Sequence, residues 1–232
     1  MEAIILAGGF GTRLKSVVSD VPKPMAPIQN KPFLAYLLTF LAKHGISRFV
    51  LSVGYMHEKI VDYFGQSFLS VPISYVIENK ALGTGGAIKL ALKKVKTDNV
   101  LVYNGDTFFD IDPKKLFSFH KNTKAEISLA LKNLKKPARY GTIKLQGSRV
   151  VGFSEKNKNL SEGLINCGVY CLSRHIFEGL IMQIKFSFEK DFLENYFHKK
   201  MISGMVHSGY FIDIGIPEDY EKAQSELTQY TI

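Results

Sequence analysis

From Glu2 to Gly105 the chain alternates short apolar strands with amphipathic helical stretches, and this rhythm leaves few folds open. Glu2–Ala7 is a strand. Phe33, Leu37 and Leu41, joined by Leu34 and Leu38, recur at helical spacing. Phe49–Val53 is a second strand, ended by Gly54, and His57–Phe64 reads as a helix. Ile73–Ile77, a helix over Thr84–Val95 and a strand over Val100–Tyr103 complete the series, which stops at Asn104-Gly105. Strands that are apolar on both faces need cover on both, which predicts a largely parallel sheet between two layers of helices.

Beyond Ala125 the rhythm changes. Ile127–Leu131, Thr142–Leu145, Val150–Ser154 and Ile165–Leu172 follow one another as strands with little helix between them. A helix over Phe188–His198, strands near Met201–Val206 and Tyr210–Ile214, and a helix from Pro217 close the series. Pro217 suits a first helical turn, and Tyr220, Ala223 and Leu227 give that helix one apolar face. With no repeat, low-complexity tract or linker, the expected architecture is a three-layer α/β/α sandwich. Its sheet is expected to be mixed and mostly parallel, with a smaller antiparallel subregion, in a single domain over 1–232 with halves 1–125 and 126–232.

Lys+Arg number 30 against 21 Asp+Glu, a formal charge of +9, so anionic partners are favoured. The basic residues are scattered lysines without interleaved stacking aromatics, which argues against nucleic acid. The longest apolar uncharged run, Pro32–Ala42, falls short of the ~20 residues of a membrane span. The N-terminus has no basic region ahead of its apolar run and reads as a strand rather than a secretory signal. Cys167 and Cys171 are too few to staple the chain and make a poor tetrahedral metal site. Four apart on a strand, they would share one buried face. A soluble, cytoplasmic protein is expected.

Chemistry is most visible after the first strand, in Leu6-Ala7-Gly8-Gly9-Phe10-Gly11-Thr12-Arg13-Leu14. Three glycines in four residues let backbone N–H groups converge on an anion, and Arg13 adds a forked permanent cation suited to phosphate. No Gly-Lys-Ser/Thr follows, so this is not a Walker loop, and Leu14 stands where a dinucleotide fingerprint needs its third glycine. Ten residues after Arg13, Val21-Pro22-Lys23-Pro24-Met25 holds a lysine between two prolines that fix the backbone around it.

The Gly-rich loop followed by Pro-Lys-Pro-Met resembles the sugar-1-phosphate nucleotidylyltransferase family. Further blocks match in order: Leu82-Gly83-Thr84-Gly85-Gly86-Ala87, Asn104-Gly105-Asp106, Phe153-Ser154-Glu155-Lys156, Asn166-Cys167-Gly168-Val169-Tyr170, Phe188-Glu189-Lys190-Asp191, and Phe211 through Tyr220. The resemblance implies a GT-A-like, Rossmann-type fold. It implies a reaction of a nucleoside triphosphate with a sugar 1-phosphate, with Mg²⁺, giving nucleotide-sugar and pyrophosphate. By the same resemblance, Leu6 belongs to the nucleotide site, and Gly8, Gly9, Gly11 and Thr12 hold the triphosphate, with Arg13 on its outer phosphates. Lys23 lies between the two substrates' phosphates, and Leu82, Gly83 and Thr84 touch base and ribose. Asp106 and Asp213 are the implied Mg²⁺ ligands. Gly105, Glu155, Lys156, Asn166 and Gly168 form the implied sugar-phosphate pocket, so residues 1–125 become the nucleotide-binding half and 126–232 the sugar-phosphate-binding half.

The residues suit these roles on their own chemistry. Asp106 follows a strand end behind Gly105, and Asp213 ends another strand before Gly215. Two hard carboxylates from different strands can hold one Mg²⁺, though each could also be a turn former or a helix cap. Arg13, Lys23 and Asp106 are the candidate catalytic residues.

The compact length and the Leu-Gly-Thr-Gly-Gly-Ala loop look closest to manno-type guanylyltransferases. That implies GTP and D-glycero-D-manno-heptose 1-phosphate, for surface polysaccharide synthesis, with mannose or muramic acid 1-phosphate as alternatives. The length is also expected to leave no room for an appended acyltransferase domain or a long dimerisation arm, while a homo-oligomer stays possible. Guanine presents N–H donors, for which Glu78 or loop carbonyls are candidate acceptors. A different class, a GT-A glycosyltransferase, is raised by Asp110-Ile111-Asp112. The simpler reading is that Asp112 caps a helix opening at Pro113.

Overall fold

The computed structural model describes residues 1–9, 11, 14, 17–154 and 159–230. Along the first half run β1 (Glu2–Ala7), the short pair β2 (Pro27–Ile28) and β3 (Lys31–Pro32), α1 (Phe33–Lys43), β4 (Arg48–Val53), α2 (His57–Phe64) and β5 (Ser67–Phe68). There follow β6 (Val71–Ile77), α3 (Gly83–Leu92), β7 (Asn99–Asn104), β8 (Thr107–Phe109) and α4 (Pro113–Thr123). The second half contributes β9 (Ile127–Lys135), β10 (Thr142–Gln146), β11 (Arg149–Ser154) and β12 (Glu162–Ser173). A π-helical turn (Phe188–Leu193), α5 (Glu194–Tyr196), β13 (Ile202–Val206), β14 (Phe211–Asp213) and α6 (Pro217–Glu226) complete it.

Among the described residues, ten strands form one sheet in the order β10-β11-β13-β9-β12-β7-β1-β4-β6-β5. It is mixed, as the change of rhythm after Ala125 implies. The parallel pairings are β7–β1, β1–β4, β4–β6 and β9–β13, and the others are antiparallel. The two kinds follow from the connections. Helical crossovers separate β1, β4 and β6, whereas the Gly147-Ser148 turn folds β11 straight back on β10.

Burial on both faces is explicit in β1, β4 and β7. Ala3, Ile5 and Ala7 join Phe49, Leu51, Val53, Leu101 and Tyr103 under α1, α2 and α6. Ile4 joins Val50, Val100 and Val102 on the other face, under α3 and the π-helical turn. Cys167, Val169 and Cys171 share the first of these faces, and both cysteines are buried and free, as expected of small hydrophobes. No helix among the described residues is long and apolar enough to cross a membrane.

Two elements differ from the sequence reading. The continuous helix expected over Phe188–His198 opens instead as a π-helical turn, with the Glu194 N–H reaching back five residues to the Glu189 carbonyl. Such a turn holds one residue more than an α-turn, a difference that hydrophobic spacing does not reveal. β8 is too short to announce itself, and it is fixed by antiparallel pairing with β14.

His120 on α4 is 2% exposed, its ring nitrogens on Ser128 Oγ at 2.9 Å and Asn99 Oδ1 at 3.1 Å. Burial lowers its pKa from 6.5 to about 4. Below about pH 6.5 the unfolded chain takes up a proton that the folded chain refuses until about pH 4, so stability is lost as the pH falls through this window. The loss amounts to up to about 3 kcal/mol. Urea unfolding between pH 7 and pH 4 should show that slope, and the His120→Gln variant should lack most of it.

Candidate active site

Beside β1 the chain's path reverses. It steps from β1 through β4 to β6 in one direction, and β7 then takes its place on the other side of β1. The crevice beyond the carboxyl ends of strands at such a reversal is where α/β sheets take up ligands. Here it is bracketed by the glycine loop after β1 and by Gly105-Asp106 after β7, with the Gly105 N–H donating to the Leu6 carbonyl at 2.9 Å.

Lys23 rises into this crevice from a 3-10 turn, Lys23–Met25, whose entry is set by Pro22 at φ −65°, ψ 150°. Its ammonium lies 2.6 Å from Asp106 Oδ2 and 3.4 Å from Asp213 Oδ1, and its side chain is 9% exposed. The two aspartates, far apart in sequence, are brought to one ammonium by the β8–β14 ribbon, in which Thr107 faces Asp213. The Ile214 N–H also donates to the Asp106 carbonyl, closing the ribbon beside the site. Gly11, at φ +57°, sits where a Cβ would lie 2.7 Å from the Cβ of Lys23, so the loop closes on the lysine stem only because it carries no side chain there.

Asp213 Oδ1 also accepts from the Gly215 N–H at 2.8 Å. Burial, and then the charge of Asp106, push its carboxyl above the usual range against the pull of Lys23. Two crowded carboxylates with hard oxygens, not fully neutralised by one lysine, are a donor set that fits Mg²⁺. That ion keeps several waters and needs one or two protein carboxylates beside substrate phosphates.

A cavity of about 340 Å³ opens over the loop, lined by Leu6, Gly8, Gly9, Gly11, Lys23, Glu78, Gly83, Thr84, Asn104 and Asp106 among others. Glu78 continues into a smaller space of about 220 Å³ with Tyr55 and Lys80. Its Oε1 accepts from Ser52 Oγ at 2.9 Å and its Oε2 from the Leu82 N–H at 3.3 Å, while burial raises its pKa. A second cavity of about 310 Å³ adjoins, and Asn104 lines both. Asp213, Asn166, Gly168, Tyr140 and Glu189 are in its wall.

The structure therefore brings together Leu6, Gly8, Gly9, Gly11, Lys23, Glu78, Gly83, Thr84 and Asp106 in one cavity, with Leu82 behind Glu78. It sets Asn166, Gly168 and Asp213 in the other. Gly105, beside Asp106, donates its N–H to the Leu6 carbonyl. Thr12, Arg13, Glu155 and Lys156 lie outside the described residues.

Some side chains have other engagements than those expected. The Thr84 hydroxyl donates to Glu189 Oε2 at 2.6 Å and accepts from the Phe188 N–H at 2.8 Å. Gly83, at φ +72°, has the Phe186 carbonyl where a side chain would be, and the Gly85 N–H donates to that carbonyl at 3.0 Å. The glycines of this loop thus serve close packing against residues 184–188. Asn166 uses its amide within the wall, donating to the Tyr170 hydroxyl at 2.8 Å and accepting from the Gly168 N–H at 3.0 Å. Asp110-Ile111-Asp112 is structural: Asp112 caps α4 through the Lys114 N–H at 2.8 Å, and Asp110 accepts from the Tyr230 hydroxyl at 3.0 Å. Tyr170, Asn104 and Glu189 have no assigned role in the sequence reading. The signal for Glu189 is its place in the Phe-Glu-Lys-Asp block.

The nucleotidyl transferase family model matches residues 2–230. The chain is 54% identical to the D-glycero-alpha-D-manno-heptose 1-phosphate guanylyltransferase of Aneurinibacillus thermoaerophilus, over 99% of this chain and 100% of that one. It is 49% identical to the protein of the same name from Campylobacter jejuni, over 95% of this chain and 97% of the other. The crystal structure of HddC from Yersinia pseudotuberculosis complexed with GMP-PN superposes with a TM-score of 0.86, at 39% identity over 98% of this chain and 99% of that one. A family model matched over residues 2–230 and an identity of 54% along nearly the whole chain make this protein a member of the nucleotidyl transferase family.

Proposed function

We propose that the protein transfers a guanylyl group from GTP to D-glycero-α-D-manno-heptose 1-phosphate, releasing pyrophosphate. The observation that carries the transfer is the junction itself: Lys23 lies between Asp106, in the wall of the first cavity, and Asp213, in the wall of the second, and Asn104 lines both. One cavity is walled by the glycine loop and suits a triphosphate, and the other suits a second polar substrate. The guanine and heptose assignments are supported by the two relatives of that name.

In this reading an oxygen of the sugar 1-phosphate forms a bond to the α-phosphorus of GTP as the bond from that phosphorus to the bridging oxygen of pyrophosphate breaks. The electron pair leaves with pyrophosphate, and no protein nucleophile is required. Neither cysteine is suited to be one, since burial pushes both thiols far above their ordinary range. The chain's contribution is to hold two anions in line and offset their repulsion. Lys23 does so from a proline-fixed backbone, and Asp106 and Asp213 would hold Mg²⁺, which neutralises phosphate charge when bound. Glu78, between the nucleotide cavity and the space beyond it, would accept from the guanine N–H groups. The substrates are small molecules of the cytoplasm, and no nucleic acid or membrane surface is involved.

The test is pyrophosphate release across four nucleoside triphosphates and several sugar 1-phosphates. GTP with the manno-heptose phosphate should exceed the other pairs by about 10-fold or more in kcat/KM, because the wrong base leaves buried acceptors unpaired. Preference for dTTP or UTP would overturn the guanylyl assignment, and preference for mannose or muramic acid 1-phosphate would overturn the heptose one.

A further inference from the structure

Glu189 lies in the wall of the second cavity, yet one of its oxygens is engaged by the first. Oε1 accepts from the Tyr170 hydroxyl at 2.9 Å, and that hydroxyl accepts from Asn166 Nδ2. Oε2 accepts from Thr84 Oγ1 at 2.6 Å and from Ser187 Oγ at 3.0 Å. Thr84 opens α3 in the wall of the first cavity, and Tyr170 and Asn166 belong to β12 in the wall of the second. Tyr170 is fully buried, so its hydroxyl has no water to turn to. The carboxylate is carried on the π-helical turn, which is held to the same place by the Phe188 N–H on Thr84 Oγ1 and by the edge-to-face contact of the Phe188 and Tyr170 rings.

We propose that Glu189 is a positioning residue common to both substrates. Its carboxylate fixes the α3 entrance beside the nucleotide with one oxygen and the β12 wall beside the sugar phosphate with the other. The proposal rests on the two-cavity reading above and adds a physical link between the cavities. A carboxylate is required because three hydroxyls donate to it, one to Oε1 and two to Oε2. A glutamine offers one acceptor oxygen and two N–H donors, so the Tyr170 hydroxyl on one side or the Thr84 and Ser187 hydroxyls on the other must lose their acceptor.

Calorimetry of GTP with Mg²⁺, in the absence of sugar phosphate, provides the test, since Glu189 does not line the nucleotide cavity. Glu189→Gln and Glu189→Ala should weaken GTP about 10-fold while the thermal midpoint shows both variants folded. Reciprocally, Thr84→Val, in the nucleotide wall, should raise the KM for the sugar phosphate, and the Thr84→Val/Glu189→Ala double variant should lose less than the product of the single effects. If GTP binds both Glu189 variants as it binds the parent and only the sugar-phosphate KM moves, Glu189 is a local wall residue and the link is refuted. Multiplicative effects in the double variant refute it as well. If the parent protein does not bind GTP, the guanylyl reading fails on its own, and the same comparison decides the link with whichever nucleotide the substrate matrix selects.

Discussion

Replacing Lys23 by alanine should lower kcat/KM by at least about 100-fold, with the protein still folded, because the substitution removes a nearly buried cation from the point where negative charge accumulates. The geometry makes the loss twofold. The ammonium that would offset the phosphates disappears, and Asp106 and Asp213 are left facing each other without it. Arginine should not restore the rate. The space around the Lys23 ammonium is narrow, since a Cβ on Gly215 would already lie 3.2 Å from Nζ, and a planar guanidinium needs more room than a point-like ammonium. Steady-state kinetics of Lys23→Ala and Lys23→Arg, with thermal melts as the folding control, check both statements. Turnover like the parent's in Lys23→Ala removes the lysine from the mechanism, and in Lys23→Arg it shows that a second kind of cation fits the site.

Asp106→Asn and Asp213→Asn should each cut turnover by about 100-fold at low Mg²⁺ and shift the Mg²⁺ dependence to higher concentration. Their side chains are 34% and 25% exposed, so an amide of the same shape keeps the packing and removes the charge. Asp213 has a second task as the acceptor for the Gly215 N–H, which an asparagine oxygen can also perform. A Mg²⁺ titration of the rate separates metal holding from turn formation: if Asp213→Asn behaves like the parent at low Mg²⁺, the aspartate is only a turn former.

The elements of the first half are legible in sequence because β1, β4 and β7 are apolar on both faces and their helices recur at a clean spacing. Lys23, Asp106 and Asp213 are legible for another reason: each stands at a strand end or between prolines, where backbone placement can be read without knowing the partner. The network around Glu189 has no such local signature. Thr84 and Glu189 meet across 105 residues of chain, and a polar side chain's partner is set by the fold, not by its neighbours in sequence. The same limit explains Asn166. Its amide suits a sugar hydroxyl, but a positive-φ Gly168 two residues on turns its own N–H back onto it. The π-helical turn escapes for a geometric reason, since one additional residue barely changes the spacing of Phe188 and Phe192.

The ribbon of β8 and β14 bears on how the enzyme comes into being during synthesis. Nearly half the chain separates Thr107 from Asp213, yet the two strands are paired, and β13, the strand before β14, lies between β9 and β11. Contacts so distant along the chain form late, because the intervening loop must be ordered before they reward it. A growing chain can thus assemble the parallel strands and the glycine loop while Lys23 has Asp106 alone for company. The second acid arrives only when the last strands emerge and dock. The lysine is given its full pair of anions as the fold is completed, so a nascent chain halted before residue 213 lacks Asp213, the Gly215 edge of the first cavity and the cover of α6 over the sheet.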